Sequence, residues 1–308
     1  MILNKEESTK FFKYVETQFI KWAKTQDHIR LAMVVGSRAR KTAPADQWSD
    51  LDIVIFSTDP SILIDTEEWV NEFGNPVVTF IEPTAGGSGD SYERRVLYDN
   101  GIDVDFAVDP LKMILKAKKN GVTLELVEET SNVIGRGIRV LIDKDQLMEG
   151  FLKEYKAIKV PKPRHPTEHE YLERVKDFWY HVVWTAKKIR RGELWEGKAC
   201  LDCFMKARCL LPMIEWHASA TQGQASDTWF RGRFMERWAD PRVIAELRGV
   251  FSHYDEEDVW LALANTMQLF RWIAKEVAEK LGVTYPSAAD QFASRWVDTA
   301  YWDRGLND

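Results

Sequence analysis

The stretch VVGSRARKTAPADQWSDLDIVIF, Val34 to Phe56, decides how the first half of this chain is read. An apolar strand, Leu31–Val35, runs into a Gly-Ser turn. After a polar segment a second strand, Asp50–Phe56, opens on two carboxylates, Asp50 and Asp52. Strand side chains alternate between faces, so these acids share one face while Leu51 and Ile53 point to a core. Like charges about 4 Å apart at an effective dielectric near 20 repel by roughly 4 kcal/mol. Such a pair is tolerable at a wet strand end, or with a cation between the two groups.

The turn suggests what accompanies the acids. Gly36 can adopt backbone angles that a residue with a side chain avoids, and it lets a ligand come close. Ser37 adds a hydroxyl, and the N–H groups of a helix start behind it would point at an anion, a phosphate above all. Arg38 and Arg40 add charge there, or are merely solvated. A third acid comes from GIDVDFAV. Asp103 and Asp105 share one face of the predicted strand Ile102–Val108, with Val104 and Phe106 on the other. Strand geometry does not choose between them. Carboxylates together with substrate phosphates are the ligands magnesium prefers. Two such ions would activate a hydroxyl and stabilise a departing pyrophosphate, which gives the cluster a reason to exist in a nucleotidyl transferase. Taken singly, each Asp reads more readily as a strand-end or turn residue than as a ligand.

Bulk properties narrow the class. The 308 residues suffice for two domains, and 45% hydrophobic with 29% charged residues reads as globular. No apolar run approaches the roughly 20 residues of a membrane helix. The start, MILNKEESTKFFKYVE, lacks the pattern of a signal peptide, so a cytoplasmic location is expected. A net charge of -6 and a pI of 5.7 argue against gripping a nucleic-acid backbone and suit a cationic substrate. Cys200, Cys203 and Cys209 fall in one predicted helix without a fourth metal ligand, and are expected to be small, mostly buried thiols.

Along the chain, periodicity predicts a helix over Lys5–Gln26, then strands at Pro76–Ile81, Ile102–Val108 and Gly137–Ile142, with a helix starting at Pro110. TAGGSGDSYERR, Thr84–Arg95, reads as a flexible loop whose GGSG is only a weak phosphate signal. This alternation is that of an α/β or α+β domain. Three prolines in Ile158–Glu170 mark a linker. Beyond it the texture is helical, over Tyr171–Ile189, Ala199–Ala218, Pro241–Val250 and Glu256–Leu281. The expected domains are therefore 1–157, a linker 158–170, and a helical domain 171–308.

VVGSRAR, SDLDIVIF and IDVDFAV resemble the nucleotidyltransferase superfamily that includes DNA polymerase beta. VLIDKD, DFWYHVVWTAKKIRRGELWEGKACLD, MIEWH and LFRWIAKEVAEKLGVTYP narrow the resemblance to the aminoglycoside 6-adenylyltransferases, the streptomycin-modifying family, over nearly the whole chain. The resemblance implies an α+β fold: an N-terminal nucleotidyltransferase domain with a mixed β-sheet flanked by helices, then a mainly α-helical domain. It implies transfer of AMP from ATP to an aminoglycoside hydroxyl with release of pyrophosphate, assisted by magnesium. By position, Gly36 and Ser37 would hold the triphosphate, aided by Arg38 and Arg40, and Asp50 and Asp52 would bind the metal. Asp105 would ligate metal or take the proton of the attacking hydroxyl, with Asp103 competing for that role. Lys198, ahead of the helix in KACLDCFMK, would reach the triphosphate as a point charge on a flexible stem.

A cationic, hydroxyl-rich acceptor calls for carboxylates and flat apolar faces. Trp179, Trp184, Asp177, Asp202 and Glu215 are candidates, and each also reads as core or solvated surface. His181 and His217 read as packed or capping residues. Neither nucleic acid nor membrane is an expected partner, and oligomeric state is open. Two other readings stand beside this one: a transferase acting on RNA, a protein or another small molecule, and a non-enzymatic, antitoxin-like module of the same fold.

Overall fold

The structure, a computed structural model, describes residues 3–40, 44–84, 91–131, 133–158, 165–222, 228 and 230–305. The GGSG stretch and residues 159–164 of the expected linker lie outside the described residues. The chain divides into two compact units, Met1–Val160 and Pro161–Asp308.

The first unit is built on a six-stranded sheet. Its strands are β1 (Ile29–Val34), β2 (Leu51–Ser57), β3 (Pro76–Pro83), β4 (Tyr92–Tyr98), β5 (Asp103–Pro110) and β6 (Arg139–Asp143), in the order β3-β4-β5-β2-β1-β6. The pair β2–β5 is parallel and the other neighbours are antiparallel, so the sheet is mixed. Period-two alternation in β2 buries Leu51, Ile53 and Ile55 on one face. They meet Phe12, Val15 and Phe19 of the helix Lys5–Thr25, which starts on an Asn4–Glu7 capping box. Trp69, Phe73 and Phe106 complete this core, with Trp69 edge-on to Phe106 at 4.9 Å between ring centroids. The other face is covered too. Leu31 and Met33 of β1 pack with Ile114, Val127, Phe151 and Tyr155, and Val54 and Phe56 lie against them. With both faces occupied by apolar side chains, acids on the central strands are accommodated only near the strand ends.

Several elements of this unit depart from expectation. β4 begins in sequence read as loop, because a charged residue, Arg94, takes a buried place in its alternation with Val96 and Tyr98. Its guanidinium donates to the carbonyls of Leu63 at 3.3 Å and Ile64 at 2.6 Å and to Thr79 Oγ1 at 3.2 Å. Two short helices, Leu124–Thr130 and Phe151–Ala157, were not anticipated. Each contributes one or two side chains to the sheet's second face, too few to set up a period.

The second unit is helical. The helix Glu168–Arg190 begins inside the segment read as linker, since Thr167 and Glu170 form a capping box there. Its stripe of Tyr171, Val175, Phe178, Val182 and Ile189 is buried, and Phe178 stacks on Phe270 of the helix Glu256–Leu281 at 3.6 Å. Leu194–Ala199, Cys200–Leu210 and Leu211–Gln222 follow one another as helical segments, the middle one with the wide turns of a π-helix. Such geometry is rare beyond a single turn. Here it turns Lys206 inward, where Nζ donates to Thr266 Oγ1 at 2.8 Å and to Leu201 O at 3.3 Å. Cys200 and Cys209 are buried, whereas Cys203 is exposed. A last helix, Ser287–Trp302, was not expected and is tied back by the Arg271–Asp290 ion pair at 2.7 Å. Among the described residues no helix is long and apolar enough to cross a membrane.

Candidate functional site

The parallel pairing of β2 with β5 builds the site. In its register Leu51 lies opposite Val104 and Asp52 opposite Asp105, so apolar faces apolar and acid faces acid. Asp50, just ahead of β2, joins them: one carboxylate oxygen from each of Asp50, Asp52 and Asp105 lies within 4.8 Å of the other two. Asp103 does not belong to this group. It stands at the exposed start of β5, and the choice left open between Asp103 and Asp105 falls, by geometry, on Asp105.

Electrostatics shows the strain of this arrangement. Burial, and after it the charges of Asp50 and Glu93, push the Asp52 carboxyl up to about 7. Asp105, 8% exposed, is also pushed up, by burial first and then by the Glu93 carboxyl hydrogen-bonded to it. Arg95 works in the opposite direction, with Nη1 at 3.8 Å from Asp105 Oδ2. Glu93 and Arg95 both belong to β4, the strand that sequence reasoning missed. The alternation of Arg94, Val96 and Tyr98, all buried, was the available signal.

The Gly-Ser turn lies against these acids. Gly36 has a φ of +65°, and a Cβ built on it would stand 2.0 Å from Asp52 Oδ2. The helix start expected after the turn is a single 3₁₀ turn, Gly36–Arg38, closed by Ala39 N–H on Gly36 O at 3.2 Å. Even so short a turn leaves its leading N–H groups without acceptors inside the helix. Ser37 is buried, and its Oγ has no hydrogen-bond partner among the described residues. Ser37, Arg38 and Arg40 line a hollow of about 330 Å³. Arg38, however, is a brace more than a free cation. Its guanidinium donates to the carbonyls of Asp50 at 2.8 Å and Ser49 at 2.7 Å, and stacks 3.2 Å above the Phe12 ring. Arg40 is buried at 7% exposure.

These groups fit a magnesium triphosphate. The oxygens of the triad are the hard donors that magnesium takes. The unpartnered Ser37 hydroxyl and the side-chain-free Gly36 form a cradle where a phosphate oxygen can be met. No other group of three His, Cys, Asp or Glu side chains among the described residues converges in this way.

The candidates of the helical unit fare differently. Trp179 is core, 2% exposed, with Nε1 donating to the Tyr285 hydroxyl at 3.1 Å. Trp184 sits 5.0 Å from the Lys188 ammonium, a poor neighbour for a cationic ligand. Lys198 lies inside the helix Leu194–Ala199, where its ammonium is bound to Asp202 and to both the carbonyl and hydroxyl of Ser252. Asp202 is thereby paired with it. Asp177 is paired with His181 at 2.9 Å and Arg208 at 3.2 Å. His217, buried, accepts or donates at Nε2 to Glu276 at 2.6 Å. Burial pushes the Glu215 carboxyl up to about 7.

Comparison with known proteins places the chain in a family. A family model described as streptomycin adenylyltransferase matches residues 12–299. The aminoglycoside 6-adenylyltransferase of Bacillus subtilis (strain 168) is 24% identical over 292 residues, covering 92% of this chain and 95% of that protein. The aminoglycoside 6-adenylyltransferase of Campylobacter jejuni is 24% identical over 302 residues, covering 94% and 95%. A crystal structure of an aminoglycoside 6-adenyltransferase from Bacillus subtilis aligns at a TM-score of 0.42 and 20% identity, over 97% of this chain and 99% of that one. A match that takes in the Gly-Ser turn, all three acids and nearly all of the helical unit leaves one conclusion: the chain is a nucleotidyltransferase and belongs to the streptomycin adenylyltransferase family.

Proposed function

We propose that this enzyme transfers the adenylyl group of ATP to a hydroxyl of an aminoglycoside, with streptomycin modified at its 6-position as the leading case, and releases pyrophosphate. The observation that carries the reading is the convergence of Asp50, Asp52 and Asp105 beside a Gly-Ser turn with an unpartnered, buried Ser37 hydroxyl. Asp50 and Asp52 would hold magnesium, with Asp105 as a further ligand or as acceptor of the hydroxyl's proton. When bound, the metal supplies charge neutralisation for the triphosphate and the leaving pyrophosphate. Gly36 gives the phosphates room, and Ser37 donates to them. Arg38 fixes the loop that carries Asp50, which keeps the reacting groups in line.

A cationic acceptor finds its counter-charges near the same place. Asp103 and Glu93 both act electrostatically on Asp52, so the mouth of the site is acidic beyond the triad itself. Aminoglycoside ammonium groups would be drawn to it. On this reading the enzyme would work in the cytoplasm, where ATP is available, and antibiotic resistance would be the consequence for the cell.

The test is pyrophosphate release by the pure protein with ATP, magnesium and a panel of aminoglycosides that includes streptomycin, beside an Asp52→Asn control. Release that requires streptomycin and disappears in the control is expected. Release with a different acceptor alone would move the substrate assignment, and ATP binding without release across the panel would discard the antibiotic.

A further inference from the structure

The helices Glu168–Arg190 and Ser287–Trp302 pack together, and along their seam opens a cleft of about 920 Å³, made of residues of the helical unit alone. Trp184, Lys187, Lys188 and Arg191 line one wall, and Phe292, Arg295, Trp296 and Thr299 the other. On each side the spacing is i, i+3, i+4, i+7, so each set shares one helix face. Arg190 adds a fifth cation, against Asp303 as the one carboxylate among the lining residues.

The charges are only partly compensated. Lys188 and Arg191 each reach Glu193 at 2.5 Å. Lys187, Arg190 and Arg295 have no carboxylate at ion-pair distance among the described residues. Arg190 gives one N–H to Asp303 O at 3.3 Å, and Lys187 lies 5.5 Å from the Trp296 ring centre. Cations in the last turn of a helix complement its dipole, which accounts for the lysines and Arg190. It does not account for Arg295, mid-way along the other helix, nor for two indoles facing the same space. On a chain of net charge -6, such a cleft is built for an anion. A second hollow of about 510 Å³ shares Trp184, Lys187 and Phe292 with the cleft and continues it among Trp179, Tyr180 and Val183. A basic half thus adjoins an aromatic half.

We propose that this cleft is a second ligand site, built from residues other than the acidic triad, for a small planar molecule carrying more than one negative charge, a nucleoside diphosphate being the plainest case. The base stacks on the exposed Phe292 and the Trp296 indole, as nucleobases do on aromatic side chains generally. The phosphates ion-pair with Arg295, Arg190 and Lys187. A nucleic-acid strand is the less fitting guest, because the charge is confined to one cleft rather than laid out as a track.

The test is calorimetric titration of the full chain with ADP at low salt in EDTA, where the triad has no metal with which to hold phosphates. One-site binding is expected. Arg295→Glu, on the exposed side of its helix, should weaken it at least tenfold, and Phe292→Ala severalfold. Ser37→Ala, at the Gly-Ser turn, should leave it unchanged. Lys187→Glu serves in place of Arg295→Glu if the melting curve shows that the latter misfolds. Absence of binding, binding indifferent to both charge reversals, or binding abolished by Ser37→Ala would each overturn the proposal. Inorganic phosphate competing as well as ADP would overturn the planar half of it. A short single-stranded oligonucleotide binding more tightly than ADP, with the same sensitivity to Arg295, would reassign the cleft to nucleic acid.

Discussion

Gly36 and Asp52 are fitted to each other: a methyl group on the glycine would stand 2.0 Å from the Asp52 Oδ2 oxygen. The turn after β1 and the acid on β2 are therefore one unit, held further by the Val35 N–H on Asp52 O at 3.0 Å. The turn proposed to cradle phosphate and the acid proposed to hold metal cannot be altered independently.

Gly36→Ala tests this. The positive φ alone costs about 1 kcal/mol or more in a residue with a side chain. The clash adds to that by displacing Asp52. A fall in Tm of several degrees is expected by calorimetry. Pyrophosphate release should fall on the order of 100-fold or more, because the carboxylate no longer converges with Asp50 and Asp105. Near wild-type turnover would dissociate the turn from the acids.

Asp52→Asn and Asp105→Asn should lose activity without losing the fold. Each removes a mutually repelled carboxylate, half-buried at Asp52 and buried at Asp105, so in EDTA the variants melt at or above the wild-type temperature. Magnesium should raise the wild-type Tm, since a ligand that binds only the folded state at 100 times its Kd stabilises it by about 2.7 kcal/mol. That increment should vanish in both variants. Its persistence would remove these acids from the metal site.

Arg38 distinguishes a brace from a phosphate contact. Its bonds to the carbonyls of Ser49 and Asp50 predict that Arg38→Ala destabilises the protein on the order of 2 kcal/mol. Arg38→Lys recovers little, since an ammonium cannot fork to two carbonyls while lying over Phe12. A pure phosphate ligand would instead show an increased KM for ATP with Tm unchanged.

Lys206 and Glu215 give stability opposite pH slopes. Burial lowers Lys206 from 10.5 to about 7, so between these values the unfolded chain binds more protons and stability rises with pH. Burial raises Glu215 from 4.5 to about 7, so in that window the folded chain binds more protons and stability falls as pH rises. Urea midpoints of Lys206→Met should lose the upward slope above neutrality, and those of Glu215→Gln the downward slope below it. A Lys206→Met profile parallel to wild type above pH 7 would contradict the burial assignment.

Much of the site was legible because it follows from short-range pattern. The alternation of Leu51, Asp52, Ile53 and Val104, Asp105, Phe106 states which side chains share a face before any partner strand is known. Arg94 shows where such reading stops. In sequence it is one of two adjacent arginines in a polar stretch. Its burial depends on acceptors at Leu63, Ile64 and Thr79, up to 31 residues away. With Arg94 misread, β4 went unseen, and with it the Glu93 and Arg95 side chains that flank Asp105. Lys198 is a different case: the sequence offered a point charge on a flexible stem, while its present partners, Ser252 and Asp202, come from elsewhere in the fold.

By itself the sequence determined that Gly36 and Ser37 end one strand, that Asp50 and Asp52 open another, and that a later apolar strand carries further acid. Those are properties of neighbours along the chain, fixed by backbone geometry and alternation. Only the tertiary structure decided that Asp105 rather than Asp103 completes the triad. That choice rests on the register in which β2 lies beside β5, which is set by packing Leu51, Ile53, Val104 and Phe106 into one core. A two-residue slip would have kept every side chain on its face and exchanged the acids, and it is the fit of that core that forbids it.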